Sequence, residues 1–358
     1  KIIKQNVNML YNRTSRYRTR YLRRSLRDHE NIWELDDRAL KNSFRLPKRL
    51  AQELIVNLER FVQPKMSSWS IPFYLQVLAA LHFYGHGSYQ SCVGNSYLNN
   101  MSQPSVSRAI KTVTDLIIQY QTPKEIVFPI TTVEKEEKKI RFYNKYHLGG
   151  IIGCIDCTHI SIVTPKIDDD VVPAMLYMNR KGFHSINVEV ICDSEELVLF
   201  ANARYPGSTH DAAIWQISKV REHLTMNAGG SYILGDSGYP LEPWLLTPYR
   251  NPANDIEERY NTMHKRARNV IERTFGIIKS RFRCLLRHRV LHYDPAAAGK
   301  IIYAVLTLHN MCKKQNIPLD QDETVEVEVD TDDAEEVYAG QENDRARIRE
   351  SYIRRYVI

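Results

Sequence analysis

GGIIGCIDCTHISIV, residues 149–163, is almost wholly apolar and β-branched, yet it carries one carboxylate, Asp156, in its middle. An apolar run of this kind reads as a central strand buried on both faces. An unpaired charge is too costly to bury there, so Asp156 must be protonated, paired or bound to a cation. Working outward, two further carboxylates occupy telling positions. In ILGDSGYP, residues 233–240, a short apolar strand is stopped by Gly235, Gly238 and Pro240, which leaves Asp236 at a strand end. In RNVIERTFGIIK, residues 268–279, Val270, Ile271, Phe275, Ile277 and Ile278 recur at helical intervals. Glu272 is the only acid among nine Lys and Arg between positions 265 and 289.

Arg268, Glu272 and Lys279 share one helical face, which an ordinary salt-bridged surface stripe would also produce. The order strand, strand, helix changes that reading, because three converging carboxylates form the usual cage for a hard divalent cation, Mg²⁺ (or Mn²⁺). Such a cage points to metal-assisted phosphoryl transfer.

The elements around these residues predict a fold. Two apolar runs, 187–192 and 197–204, flank the turn-prone DSEE and read as a hairpin after the first strand. A helix near 212–224, the Asp236 strand, a short strand at 244–247 and the Glu272 helix follow. Three antiparallel strands, a helix and then further alternation is the order of an α/β ribonuclease-H-like fold, a mixed sheet flanked by helices. In that fold the middle of the first strand, the end of the fourth and a late helix converge. A last amphipathic helix is predicted over 295–314. Asp211, in PGSTHD, has three readings: a fourth metal ligand, a carboxylate orienting bound water, or a helix cap. His159 and His210 are read as groups that orient carboxylates, since two-metal chemistry needs no imidazole.

Upstream, the chain divides into a basic arm (1–40), a helical unit (41–125) and a charged linker (126–148), followed by the sheet domain (149–316) and an acidic then basic tail (317–358). Periodicity after Pro47 and between Ser70 and His86 predicts helices. SYLNNMSQPSVSRAIKTVTDLIIQY, residues 96–120, reads as the second half of a helix-turn-helix, with Ser102 as N-cap and Pro104 in the first turn. Val106, Ile110, Val113 and Ile117 would be buried, leaving Gln103, Ser105, Ser107, Arg108 and Lys111 as candidate DNA contacts. An ordinary capped helix in a bundle is the plain alternative.

IDCTHI, PGSTHDAAIW, GDSGYP, the spacing of Arg268, Glu272 and Lys279, KSRF and LHNMC stand in one order along the chain. Together they resemble the DDE transposases of the PIF/Harbinger superfamily and their domesticated nuclease relatives, over roughly residues 40–315. Related bacterial insertion-sequence transposases place a tyrosine three residues before the arginine, where this chain has Lys265. The resemblance implies a ribonuclease-H-like nuclease domain, DNA as substrate, and a Myb-like DNA-binding partner that assists nuclear entry. It leaves homo-oligomerisation and an additional cytoplasmic location open. In this reading Asp156 bridges two ions, Asp236 and Glu272 each complete one site, and Arg268 and Lys279 hold phosphate oxygens.

The chain has 358 residues and a formal charge of +7, and its first 50 residues carry 14 Lys/Arg against 5 Asp/Glu. That asymmetry suits a polyanionic partner, whose condensed counterions are released on binding. Six scattered cysteines do not make a secreted disulfide framework, and Cys154 and Cys157 have no second C-x-x-C to complete a zinc site. No stretch is long and apolar enough to predict a membrane span. Two rival classes remain, a domesticated DNA-binding scaffold that keeps the nuclease fold without its chemistry, and a carboxylate hydrolase acting on sugars. The second explains neither the basic surroundings nor the helix-turn-helix pattern.

Overall fold

The computed structural model describes residues 17–27, 31–63, 67, 69–96, 98–166, 173–319 and 342–357, with side chains beyond 342–346 in the last segment. The acidic run 320–336 and the first 16 residues of the basic arm lie outside them. The chain forms two compact units. One is Lys1–Ile117 with Phe282–Cys284; the other is Ile118–Arg281 with Leu285–Ile358.

The first unit is helical. Residues 17–27 form α1, followed by α2 (Asp37–Phe44), α3 (Lys48–Glu59), α4 (Phe73–His86), α5 (Gln90–Asn95) and α6 (Gln103–Tyr120). Pro47 and Pro72 stand at the N-caps of α3 and α4, where proline's missing N–H costs nothing. Leu40, Leu54, Leu78, Tyr84, Val106 and Val113 are buried, and the Tyr84 hydroxyl shares a hydrogen bond with Thr114 Oγ1 at 2.6 Å. On α1, the guanidinium groups of Arg20 and Arg24 lie 5.1 and 5.0 Å from the Trp69 ring centroid. These are cation–π contacts that tie the basic arm to the unit.

The second unit is built on a five-stranded mixed sheet in the order β3-β2-β1-β4-β5. Its strands are β1 (Ile151–Ser161), β2 (Ser185–Cys192), β3 (Val198–Pro206), β4 (Tyr232–Leu234) and β5 (Leu245–Leu246). β1 to β3 pair antiparallel, whereas β4 pairs parallel to β1 and β5 parallel to β4. The helices are α7 (Thr122–Glu125), α8 (Thr132–Tyr146), α9 (Asp211–Gln216), α10 (Lys219–Asn227), α11 (Asp255–Arg281), α12 (Pro295–Lys314) and α13 (Glu342–Tyr356). Trp215, Val220 and Leu224 of α9 and α10 pack on Ile155, Ile191 and Ile233 at one face. α11 and α12 cover the other, where Ile278, Ile302 and Leu306 meet Ile160, Val188 and Val190.

Two segments differ from expectation. The stretch 126–148, read as a charged linker, contains α8, which packs beside β1. Its start is a capping box: Thr131 Oγ1 accepts from the Glu134 N–H, and the Glu134 carboxylate accepts from the Thr131 N–H at 2.9 Å. Most of its charges point outward while Phe142 and Tyr146 are buried, so surface charge masked a helix. The basic end of the tail is helix α13, whose Tyr352 hydroxyl donates to the Gly149 carbonyl at 2.9 Å. Among the described residues, no helix is long and apolar enough to cross a membrane.

Candidate active site

β1 carries Asp156 at the register position opposite Val190, its carboxylate on the face that α11 covers. α11 starts with Asp255, Glu257 and Glu258 and ends with Lys279 and Arg281, which suits the helix dipole at both ends. Its buried side chains Tyr260, His264, Ala267, Ile271, Thr274 and Ile278 recur at three- and four-residue steps and seat it on the sheet. That registry turns Arg268 and Glu272 toward β1. Arg268 Nη1 donates to Asp156 Oδ2 at 3.0 Å, and Nη2 donates to Glu272 Oε1 at 2.5 Å. One guanidinium therefore spans two carboxylates far apart in the chain. The three side chains are 17, 20 and 30 % exposed for Asp156, Arg268 and Glu272, so the bridge is partly desolvated yet reachable.

Asp236 follows β4 by two residues, and its Oδ1 accepts from the Gly238 N–H at 2.9 Å. The turn is tight, since a Cβ on Gly238 would stand 3.2 Å from that oxygen. Asp156 Oδ1 accepts from the Cys157 N–H at 2.9 Å. Burial pushes the Asp156 carboxyl well above the usual carboxylate range; Arg268 opposes the rise, and the charges of Asp236 and Asp211 add to it. Burial acts to lower the pKa of Arg268, but Asp156, Glu272 and Asp236 together raise it. The carboxylates thus crowd charge into one place, and an arginine balances it.

Asp211 is the first residue of α9, and the N-cap position belongs to His210, whose side chain makes no cap bond. Asp211 Oδ1 instead accepts from Asn187 Nδ2 at 2.8 Å. His159 Nδ1 shares a hydrogen bond with Ser185 Oγ at 3.1 Å, and its ring meets Phe183 edge-on. Lys279 is buried further along α11, where its ammonium donates to Thr158 Oγ1 at 2.8 Å. Cys154 and Cys157 are free and buried, their thiols directed to Ala267 O and the Tyr239 hydroxyl.

On α6, Gln103, Arg108 and Lys111 are exposed and Ser105 and Ser107 half-buried, the arrangement its periodicity predicts. Ser102 Oγ lies 2.8 Å from Ser105 Oγ.

Three residues near the carboxylates escaped the sequence reading. Tyr239 is buried, and burial followed by the neighbouring Cys157, Asp211, Asp156 and Asp236 holds its hydroxyl strongly protonated. Its only signal is its place in GDSGYP. Glu189 is fully buried in β2 and accepts from Ser218 Oγ at 3.2 Å, while Asn187 lies two residues earlier on the same face. Both sit in an apolar strand as Asp156 does, the one cue that could have marked them.

The donor set of Asp156, Asp236 and Glu272 is all hard oxygen, and its crowded charge is what a divalent cation relieves, so its chemistry fits such an ion. Among the described residues, no three His, Cys, Asp or Glu are gathered closely enough to hold one, and the Arg268 guanidinium stands between two of the carboxylates.

A family model described as DDE superfamily endonuclease matches residues 155–310, a span that includes Asp156, Asp236 and Glu272. The human protein named "Putative nuclease HARBI1" is 33 % identical over 290 residues, covering 79 % of this chain and 80 % of that protein. The chain belongs to the Harbinger transposase-derived nucleases. The HARBI1 protein of Xenopus laevis is 30 % identical over 296 residues, and "Protein ALP1-like" of Arabidopsis thaliana is 25 % identical over 251. No solved structure is a significant match to this Harbinger-derived chain. Divalent-metal dependence is general in the DDE endonuclease superfamily to which its matched domain belongs.

Proposed function

We propose that the chain is a divalent-metal-dependent DNA nuclease or transposase-like phosphoryl transferase whose carboxylate triad is Asp156, Asp236 and Glu272. The observation that carries this reading is the meeting of Asp156 and Glu272 on the single guanidinium of Arg268. The antiparallel β1–β3 and parallel β4 and β5 support a ribonuclease-H-like fold, in which these positions converge.

Asp156, Asp236 and Glu272 would hold Mg²⁺ or Mn²⁺, with Asp211 nearby, and the ions would supply an activated nucleophile and a charge sink for the phosphodiester. The chain's own groups set the stage for that. The Cys157 and Gly238 N–H groups fix one oxygen each of Asp156 and Asp236. Arg268 keeps the carboxylates from repelling one another, and once released to a DNA phosphate it would steady the charge that develops there. Lys279 acts through Thr158, holding β1 beside the carboxylates, more directly than through the DNA.

DNA contact by Gln103, Ser105, Ser107, Arg108 and Lys111 belongs to the same proposal, as do a helix-turn-helix-like role for the first unit, a Myb-like partner and work in the nucleus. Incubating labelled duplex DNA with wild type and Asp156→Ala, in Mg²⁺ and in Mn²⁺, tests the reading. Cleavage by wild type alone supports it. Equal cleavage by both, or DNA binding without cleavage in either, points to the second reading, a DNA-binding scaffold. One observation favours that alternative: an arginine sits where a cation would bridge Asp156 and Glu272.

A further inference from the structure

A second concentration of charge lies where β1 runs out. The Ile162 N–H donates to the His184 carbonyl at 2.9 Å on the β2 side, and the Leu291 N–H donates to the Ser161 carbonyl at 3.0 Å on the other. Three segments of the second unit, 161–166, 178–185 and 286–293, are thereby laced into one surface. They carry Lys166, Arg180, Lys181, Arg287 and Arg289, with three histidines and no acid. That is a formal +5 in a chain whose net charge is +7. Asp168, Asp169 and Asp170, in the connection from β1 to β2, lie outside the described residues.

The surface is held in shape from below. Buried Asn179 closes the turn before β2, its Oδ1 accepting from the Lys181 and Phe183 N–H groups at 2.9 and 3.3 Å. Gly182, at φ +77°, supplies the left-handed residue that this turn needs. Phe183 receives the Arg287 guanidinium 4.7 Å from its ring centroid. Stacking uses the face of a guanidinium and not its N–H edge, the part that addresses an oxyanion. A cation already held in place also loses less rotamer freedom on binding. Lys166, Lys181, Arg287 and Arg289 are all exposed, and like charges gathered this way gain from an anionic partner.

We infer that this patch seats the sugar–phosphate backbone of duplex DNA flanking the reaction centre. The inference rests on the proposed action on DNA and adds where the flanking duplex is held. Ile162 is six residues beyond Asp156 (162 − 156), about 20 Å along an extended strand, which a duplex covers in about six base pairs. Side chains of β1 alternate between faces, so His159 stands opposite the Asp156 carboxylate, and Phe183 meets the His159 ring edge-on there. The patch therefore grips DNA away from the reacting atoms, and losing it should weaken binding and leave the chemical step alone. Phosphate contacts of this kind position a duplex without reading its sequence. DNA is favoured over an acidic polypeptide because the same unit carries Asp156 and Glu272.

The test compares wild type with the double variant Arg287→Ala and Arg289→Ala on a labelled duplex, with Ca²⁺ present to hold the complex without cutting. Anisotropy across a salt series gives the slope of log K against log salt. Losing two phosphate contacts should reduce that slope by about 1.8, so that the wild-type advantage shrinks about ten-fold as salt rises about four-fold. For cleavage in Mn²⁺, KM should rise while kcat stays within about two-fold of wild type. If circular dichroism shows the double variant to be unfolded, Arg289→Ala decides alone, with an expected drop of about 0.9. DNA bound but not cut, with the slope reduced in the variant, supports the patch and overturns the nuclease proposal. Slope and affinity equal to wild type, the result if Asp168 to Asp170 already neutralise the patch, overturn the inference and leave the nuclease proposal standing. An unchanged slope joined to lost binding of poly-glutamate also overturns it, assigning the patch to an acidic polypeptide. So does a fall in kcat at unchanged KM, which would put the arginines at the reacting atoms. Absence of any DNA binding by wild type overturns both proposals.

Discussion

Asp156 accepts a hydrogen bond from Arg268 at 3.0 Å, a contact between the middle of the central strand and the middle of the longest described helix. Because the same guanidinium also holds Glu272, it supplies the positive charge that a divalent ion would supply in the proposed reaction. Removing it leaves a largely buried carboxylate without its counter-charge, a change that typically costs about 3–5 kcal/mol and less where solvent reaches the pair. Arg268→Gln should therefore lower the melting temperature in metal-free buffer. Added Mg²⁺ should raise it more in the variant than in wild type, because the ion no longer competes with a guanidinium. Calorimetry with and without Mg²⁺ measures both, and equal metal responses would count against the arginine as placeholder.

Glu189 provides a pH signature. Burial, set against the Ser218 hydrogen bond, pushes its carboxyl up to about 8. Since the folded-state pKa lies above the unfolded one, the native state binds the extra proton between about pH 4.5 and 8. Stability at this site is therefore full at the acid end and falls as pH rises through that window, by on the order of 5 kcal/mol at most. Glu189→Gln should flatten this slope, gaining on wild type as pH rises from 5 to 8. Urea midpoints at a series of pH values check it, and parallel pH curves for the two proteins would refute it.

Gly149 marks where α13 closes on the sheet. A Cβ there would fall 2.2 Å from Tyr356 Cδ1, and Tyr356 stacks near Tyr352 with ring centroids 4.9 Å apart. Gly149→Ala should cost about 1–3 kcal/mol by overpacking. In a chain ending at residue 341 the same substitution should cost much less, which paired denaturation curves would read directly.

How much of this was legible beforehand depends on where the signal lies. Buried apolar runs and strong caps were readable: α12 runs over 295–314, started by Asp294, whose carboxylate accepts from the Ala297 N–H. Asp156 stood out because a carboxylate in an apolar strand must be paired, protonated or bound to a cation, and in the structure it is paired with Arg268. The α8 helix was not, because its charges outnumber its apolar residues and its stabilising capping box spans only Thr131 to Glu134. The expected helix near 212–224 is broken into α9 and α10 at Ile217 and Ser218, and Ser218 is drawn inward to Glu189. Lys279 shows the limit most plainly. Spacing placed it on the Glu272 face, but only the packed structure reveals that this end of the face is buried against Thr158.

For the first unit, DNA binding through α6 predicts a salt signature. Arg108→Ala and Lys111→Ala should each reduce the slope of log K against log salt by about 0.9, one phosphate contact apiece. Anisotropy titrations from low to moderate salt give the slopes, and unchanged values would remove α6 from the interface.

In the proposed reaction Asp156 and Glu272 serve one centre. Cleavage rates of Asp156→Asn, Glu272→Gln and the double variant, measured in Mn²⁺ against wild type, test this most directly. If both carboxylates serve a single step, each single variant loses on the order of 100-fold or more and the double loses little beyond either. Singles that cut as fast as wild type, or a double whose loss is the product of two modest ones, would contradict it.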